Sequence, residues 1–194
     1  LDDNPRALIL TILAYQENKS KAALDLLPIY LSYIQYMQCD DGNFRNFLSF
    51  KREYLDEAGS EDSFGRTIWA LGYLINNAPN NSYREFAREL FLKSVPHFGN
   101  LKHLRGIANT MIGLTNFLKA HKYDEHILQE LNRLAEPLKA AYRTHKDGRW
   151  LWYEEKMTYD NAILPLALLC HYEITGDQES MDIALESMEF LSQK

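Results

Sequence analysis

Acidic side chains stand beside aromatic and planar hydrogen-bonding residues at two places in this 194-residue sequence. Asp62 follows Ser60-Glu61 and precedes Arg66, and Asp160 lies between Tyr159 and Asn161, a little after Glu154. Paired carboxylates are the machinery of glycoside chemistry, one protonating a leaving oxygen while the other activates water or attacks carbon. Around them, Phe44, Tyr54, Trp150, Trp152 and Tyr153 offer flat apolar faces, and Arg45, Asn46, Arg66, Arg149 and Asn161 offer fixed donors. Pyranose rings stack on such faces while their hydroxyls take planar hydrogen bonds. On this reading Asp62 and Asp160 form an acid–base pair, with Glu61 and Glu154 as alternates. Asp41, Phe44, Asn46, Arg66, Trp150, Trp152, Tyr159 and Asn161 make up the substrate-binding set. Each has a plainer alternative: Ser60, Asp62 and Thr158 sit where helix caps belong, and a glutamate such as Glu154 is more often simply solvated. Alternation along the segment sends one of Trp150 and Trp152 inward and the other to the cavity, while Trp69, inside a helical stripe, reads as core.

Other chemistries find little support. The histidines His97, His103, His121, His126, His145 and His171 show no HExxH pattern, so no metal is expected, and His171 in its apolar run reads as a hydrogen-bonded core histidine. Asp40-Asp41 does not continue into DDxxD, and there is no glycine-rich phosphate loop, Gly-x-Ser-x-Gly or Cys/His nucleophile pair. No organic cofactor is implied. The formal charge of −6, with 21 Lys and Arg dispersed along the chain, argues against nucleic acid as a partner. No apolar run is long enough to span a bilayer. Two separated cysteines, Cys39 and Cys170, fit a reducing compartment and a cytoplasmic location.

Helical periodicity supplies the elements that must position these residues. Stripes at Leu8, Ile9, Ile12 and Leu13, at Leu24 to Met37 after Ser20, and at Ile68, Leu71, Leu74 and Ile75 predict three helices. Further stripes at Phe86 to Val95, Leu104 to Leu118 and Ile127 to Tyr142 predict three more. The fifth and sixth helices read as amphipathic, whereas the seventh, Asn161 to about Ile174, is apolar on nearly every side and reads as buried all round. An eighth follows Gly176-Asp177. A short hairpin around Gly148 to Tyr153 is the only hint of strand. Turns after the first, third, fifth and seventh helices are short and the other connections long, which predicts four helical hairpins with the long loops gathered at one end. Asp41-Gly42-Asn43-Phe44 and Asp147-Gly148-Arg149-Trp150 echo one another in those loops. The third, fifth and seventh helices would then be inner rods that open at a common rim.

Two segments carry a family resemblance. Asp41-Gly42-Asn43-Phe44-Arg45-Asn46-Phe47, followed by Gly59-Ser60-Glu61-Asp62-Ser63-Phe64-Gly65-Arg66 and Trp69-Ala70-Leu71-Gly72, is the more specific. The second is Trp152-Tyr153-Glu154 with Thr158-Tyr159-Asp160-Asn161-Ala162, Leu164-Pro165 and Ala167-Leu168. Together they resemble the α/α-toroid domain of bacterial proteins labelled glycosyltransferases or associated with mannoside-processing enzymes. The resemblance implies an all-α, six-hairpin toroid that binds or processes a glycan. Eight helices supply only about four of its hairpins, so the chain reads as one domain, residues 1–194, forming a partial ring from the C-terminal portion of a longer protein. Missing N-terminal hairpins, another domain or a second copy would cover the open arc. The rival reading is a non-catalytic helical scaffold that binds a protein partner through its aromatic loops.

Overall fold

The computed structural model describes residues 1–194, and its regular structure is helical throughout: α1 (Asp3–Asn18), α2 (Lys21–Met37), α3 (Glu61–Asn77), α4 (Asn81–Ser94), α5 (Leu104–Ala120), α6 (Glu125–His145), α7 (Ile163–Thr175) and α8 (Gln178–Ser192). A 3-10 turn, Val95–Asn100, extends α4 where Pro96 removes a backbone donor. The caps foreseen at Ser20 and Ser60 form, each hydroxyl accepting from the N–H three residues on. Thr158 caps nothing: its own N–H donates to Asn161 Oδ1 at 3.4 Å, and α7 begins without a side-chain cap. The hairpin expected at 148–153 is instead a tight turn closed by reciprocal backbone bonds between Asp147 and Trp150.

Short turns join α1 to α2, α3 to α4, α5 to α6 and α7 to α8, and each pair packs as a hairpin. The first helices of the hairpins form a row, α1 on α3, α3 on α5 and α5 on α7, so α1 stands in line with the three helices read from the sequence as inner. The helix buried nearly all round is α5, not α7. Residues Arg105 to Thr115 of α5 are buried without a break, whereas α7 leaves Leu166 39% exposed. Polar residues disguise α5 in sequence, because Asn109 and Thr110 satisfy a donor each by bonding the carbonyl four residues back in the same helix. Thr110 therefore enters the core at low cost, whereas Asn109 leaves its Oδ1 buried without a partner.

The α3–α5 contact is the tightest in the molecule, and four glycines make it. A Cβ on Gly72 would lie 2.1 Å from the Gly113 carbonyl oxygen, and one on Gly65 would lie 2.4 Å from that of Gly106. In both helices the glycines are spaced seven residues apart, two turns, so each pair lies on one face. The pairing is in register and parallel, which puts the N-terminal ends of α3 and α5 side by side. Glu61 on the first turn of α3 completes the seam by accepting the N–H groups of Lys102 and His103 at 2.8 and 2.7 Å, tying the chain just ahead of α5 to α3.

The echoed loop motifs are alike in one respect. Asp41 and Asp147 each accept the N–H two residues on at 2.9 Å, forming matching Asx turns. Their glycines differ. Gly42 has φ +95 and sits hard against the backbone of Lys93, while Gly148 has open space around it.

Candidate functional site

The N-terminal turns of α3 and α5 each present an arginine to the loop face, and these two side chains organise the site. Arg66 has only 10% of its side chain exposed and is surrounded by acids. It donates to Asp2, its Nη2 lies 3.4 Å from Asp160 Oδ2, and the same nitrogen lies 3.8 Å from Asp62 Oδ2. Burial opposes the charge of Arg66, but the hydrogen bonds and negative charges of Asp2, Asp62 and Asp160 outweigh it and hold the guanidinium pKa above its ordinary value.

Arg105, 7% exposed, is the second organiser. It grips Glu154 in a two-pronged ion pair at 2.8 and 2.9 Å, donates from Nε to the Tyr159 carbonyl at 2.6 Å, and reaches Asn161 Oδ1 at 3.3 Å. Its guanidinium also lies over the Tyr159 ring, 4.7 Å from the centroid. A single side chain of α5 thus pins the whole 154–161 segment. Tyr159 in turn donates its hydroxyl to Asp62, linking the two arginine clusters. Its pKa is raised by burial and by the hydrogen bond and charge of Asp62. Asp160 holds a left-handed backbone with φ 47, a conformation that aspartate tolerates better than most residues and that persists where surroundings fix it.

The distant acids of the sequence therefore meet at one end of the molecule. Asp62 and Asp160 both approach a single nitrogen of Arg66, which leaves their nearest oxygens no more than about 7 Å apart. Other expected residues serve the scaffold. Both Glu61 and Glu154 are engaged in holding α5 and the 154–161 loop. Asn46 accepts from the Ser63 hydroxyl at 3.1 Å and stays at the edge of the site. Asn161 braces the loop through Arg105 and the Thr158 N–H. Asp41 shapes its own turn beside His97, whose Nε2 lies 2.9 Å from the Asp41 carbonyl oxygen.

The aromatic assignments need correction. Trp152 and Phe44 are 0% and 1% exposed, so neither can offer a face to a ligand. Trp152 packs against Tyr153 and Phe190, and Phe44 packs against Phe64, so these residues plug the end of the core. Trp150 is half-buried edge-on against Phe190, its indole N–H donating to the Glu154 carbonyl at 2.6 Å. Trp69, read from sequence as core, does pack against the core but is only partly buried. With Ile9, Arg6, Arg66, Tyr159 and Asp160 it lines a cleft of about 480 Å³.

Sequence reasoning missed both Arg105 and the platform at Trp69. A charged residue set among Leu104, Ile107 and Ala108, next to a glycine as Arg66 is, was the available signal for the first. For Trp69, the helical stripe gave no sign that one flank of α3 borders a hollow. No three His, Cys, Asp or Glu side chains converge in a way that could hold a metal ion. Neither a scan against protein-family models nor a search of curated proteins finds a match to this chain. No helix is long and apolar enough to cross a membrane.

Proposed function

We propose that the protein binds a glycan in the cleft between α1, α3 and the 159–160 turn. The observation that carries this reading is the pairing of two partly exposed aromatic residues, Trp69 and Tyr159, with Arg6, Arg66 and Asp160 around one concave hollow. An apolar ring face with charged, planar hydrogen-bonding groups at its margin is what a pyranose needs, since one side of the sugar is C–H rich and its periphery is hydroxylated. Carboxylates already balanced by Arg66 accept hydroxyl hydrogen bonds without bringing an unpaired charge into the cleft. The concave grouping also favours this reading over a flat protein-docking face.

A row of hairpins with inner helices opening at one rim supports the further reading that the chain is part of an α/α-toroid. Exposed Leu10 and Leu13 on α1, at one end of the row, and Leu166, Leu185 and Met188 on α7 and α8, at the other, are where an incomplete ring would leave apolar flanks. Glycoside processing at the same cleft is the second reading, favoured by the approach of Asp62 and Asp160 to one guanidinium nitrogen. A glycan array followed by titration calorimetry tests the first reading. Trp69→Ala should reduce affinity for the best binder about tenfold or more, as expected from loss of about 1–2 kcal/mol of aromatic contact. Failure of every arrayed sugar to bind sinks it. Turnover that persists in both Asp62→Asn and Asp160→Asn removes the acid–base assignment and leaves binding intact.

A further inference from the structure

We infer that the occupant of this site is a neutral oligosaccharide of at least three units, not a single sugar and not an acidic glycan; the inference rests on the carbohydrate reading above. Two more hollows adjoin the aromatic cleft. One, of about 570 Å³, begins at the shared wall of Arg66 and runs past Asp62 and Asn46 to Phe47 and Tyr33. The other, of about 560 Å³, lies across the Tyr159–Asp62 hydrogen bond, bounded by Arg105, Glu154 and His103. All three meet around Arg66, Asp62 and Tyr159, and each is within the ~300–1,000 Å³ range of small-molecule sites. A monosaccharide stacked on Trp69 would leave two of them to water. A chain crossing the Arg66–Asp62–Tyr159 junction would use all three, with Phe47, 60% exposed, as an apolar surface for a distal unit.

Charge decides which chain fits. Arg66 already faces Asp2, Asp62 and Asp160, Arg105 is taken by Glu154, Arg6 bonds Asp2 and Asp3 at 3.0 and 3.2 Å, and the Leu1 ammonium donates to the Asn46 carbonyl with the charges of Asp2, Asp56 and Asp3 acting on it. A uronate, sulfate or phosphate would have to displace one of these carboxylates and then remain beside it. Hydroxyl groups face no such competition.

Calorimetric titration with gluco- and manno-oligosaccharides of one to four units, and with oligogalacturonides of the same lengths, tests the inference on the intact chain. Affinity for the better neutral series should rise at least tenfold from one unit to three, and the oligogalacturonides should bind more weakly at every length. Phe47→Ala and His103→Ala, both at exposed positions outside the core, should each weaken the trisaccharide severalfold while leaving the monosaccharide unchanged. Equal affinity for one and three units, or tighter binding of the acidic series, overturns this inference but spares the glycan reading. Absence of binding by any sugar, in this series or on an array, overturns both.

Discussion

Gly72→Ala isolates the contact on which the geometry of the site depends. The added methyl would sit 2.1 Å from the Gly113 carbonyl oxygen, 2.8 Å from its carbon and 2.9 Å from its Cα. All three are backbone atoms of a buried helix, so no side chain can swing away, and α3 and α5 must separate by about an ångström to restore van der Waals distance. Overpacking of this kind costs about 1–3 kcal/mol, and a rigid backbone neighbour puts the case at the upper end. Alanine returns about 0.5–1 kcal/mol because it orders more readily in a helix than glycine. The balance is a destabilisation of about 2 kcal/mol, or roughly 4–8 °C in melting temperature for a domain of this length. Thermal and urea unfolding followed by circular dichroism measure it. Gly148→Ala is the matched control, since a methyl there meets nothing within 4 Å and should leave stability level or slightly raised. A Gly72→Ala protein that melts at or above the wild-type temperature refutes the steric argument.

Three further outcomes follow from the charged and thiol groups. Arg105→Met strands Glu154 and frees the 154–161 segment, and should cost about 2–4 kcal/mol in urea unfolding, with binding weakened as well because Tyr159 loses its anchor. Burial holds His171 below its ordinary pKa of 6.5, and Asp177 counters this only in part. The unfolded chain therefore takes up that proton first, so stability should begin to fall as pH drops below 6.5. His171→Gln should flatten that portion of the pH–stability curve. At lower pH a second loss should appear in both proteins, since the folded-state pKa values of Asp177, Glu179 and Glu186 are all depressed. Burial opposes this for Asp177 but is overcome by bonds from Ser180 and Lys139, while Arg143 acts on Glu179 and Lys146 with Tyr142 on Glu186. The stability these groups contribute is present above their unfolded values and is lost as pH falls through the folded ones. Finally, burial pushes the Cys170 thiol up to about 11, so iodoacetamide at pH 8 should label it much more slowly in the folded chain than in urea, as seen by mass spectrometry.

How far the sequence disclosed this molecule follows from which forces act locally. Hairpin order, the long loops at one end and the Ser20 and Ser60 caps were legible because caps and stripes depend on residues three or four apart. His171 was legible as a core residue, and it is held by Ser180 and Asn132 at 2.8 and 3.0 Å. The full burial of α5 was hidden because Asn109 and Thr110 turn their donors onto their own helix, and polarity then misreports burial. The α3–α5 seam was written in the sequence as Gly65 and Gly72 against Gly106 and Gly113, a spacing that hydrophobic pattern alone passes over. Trp69, Trp152 and Phe44 could not be sorted, because which side of an aromatic meets a hollow is set by neighbours far away in the chain. The meeting of Asp62 with Asp160 was foreseen from parallel inner helices; the two arginines that draw them in were only half seen.

The walls of the cleft come from α1, α3 and the loop that leads into α7, and α5 ties that loop down through Arg105. No one piece of the chain owns a binding surface. A bound molecule would add a strap across segments already joined by Arg66 and by the Tyr159–Asp62 hydrogen bond, so its free energy would be set against cooperative opening of the molecule, not against the fraying of one loop. Slowed amide exchange in α1 and α7 together on saturation would be the visible mark of such bracing.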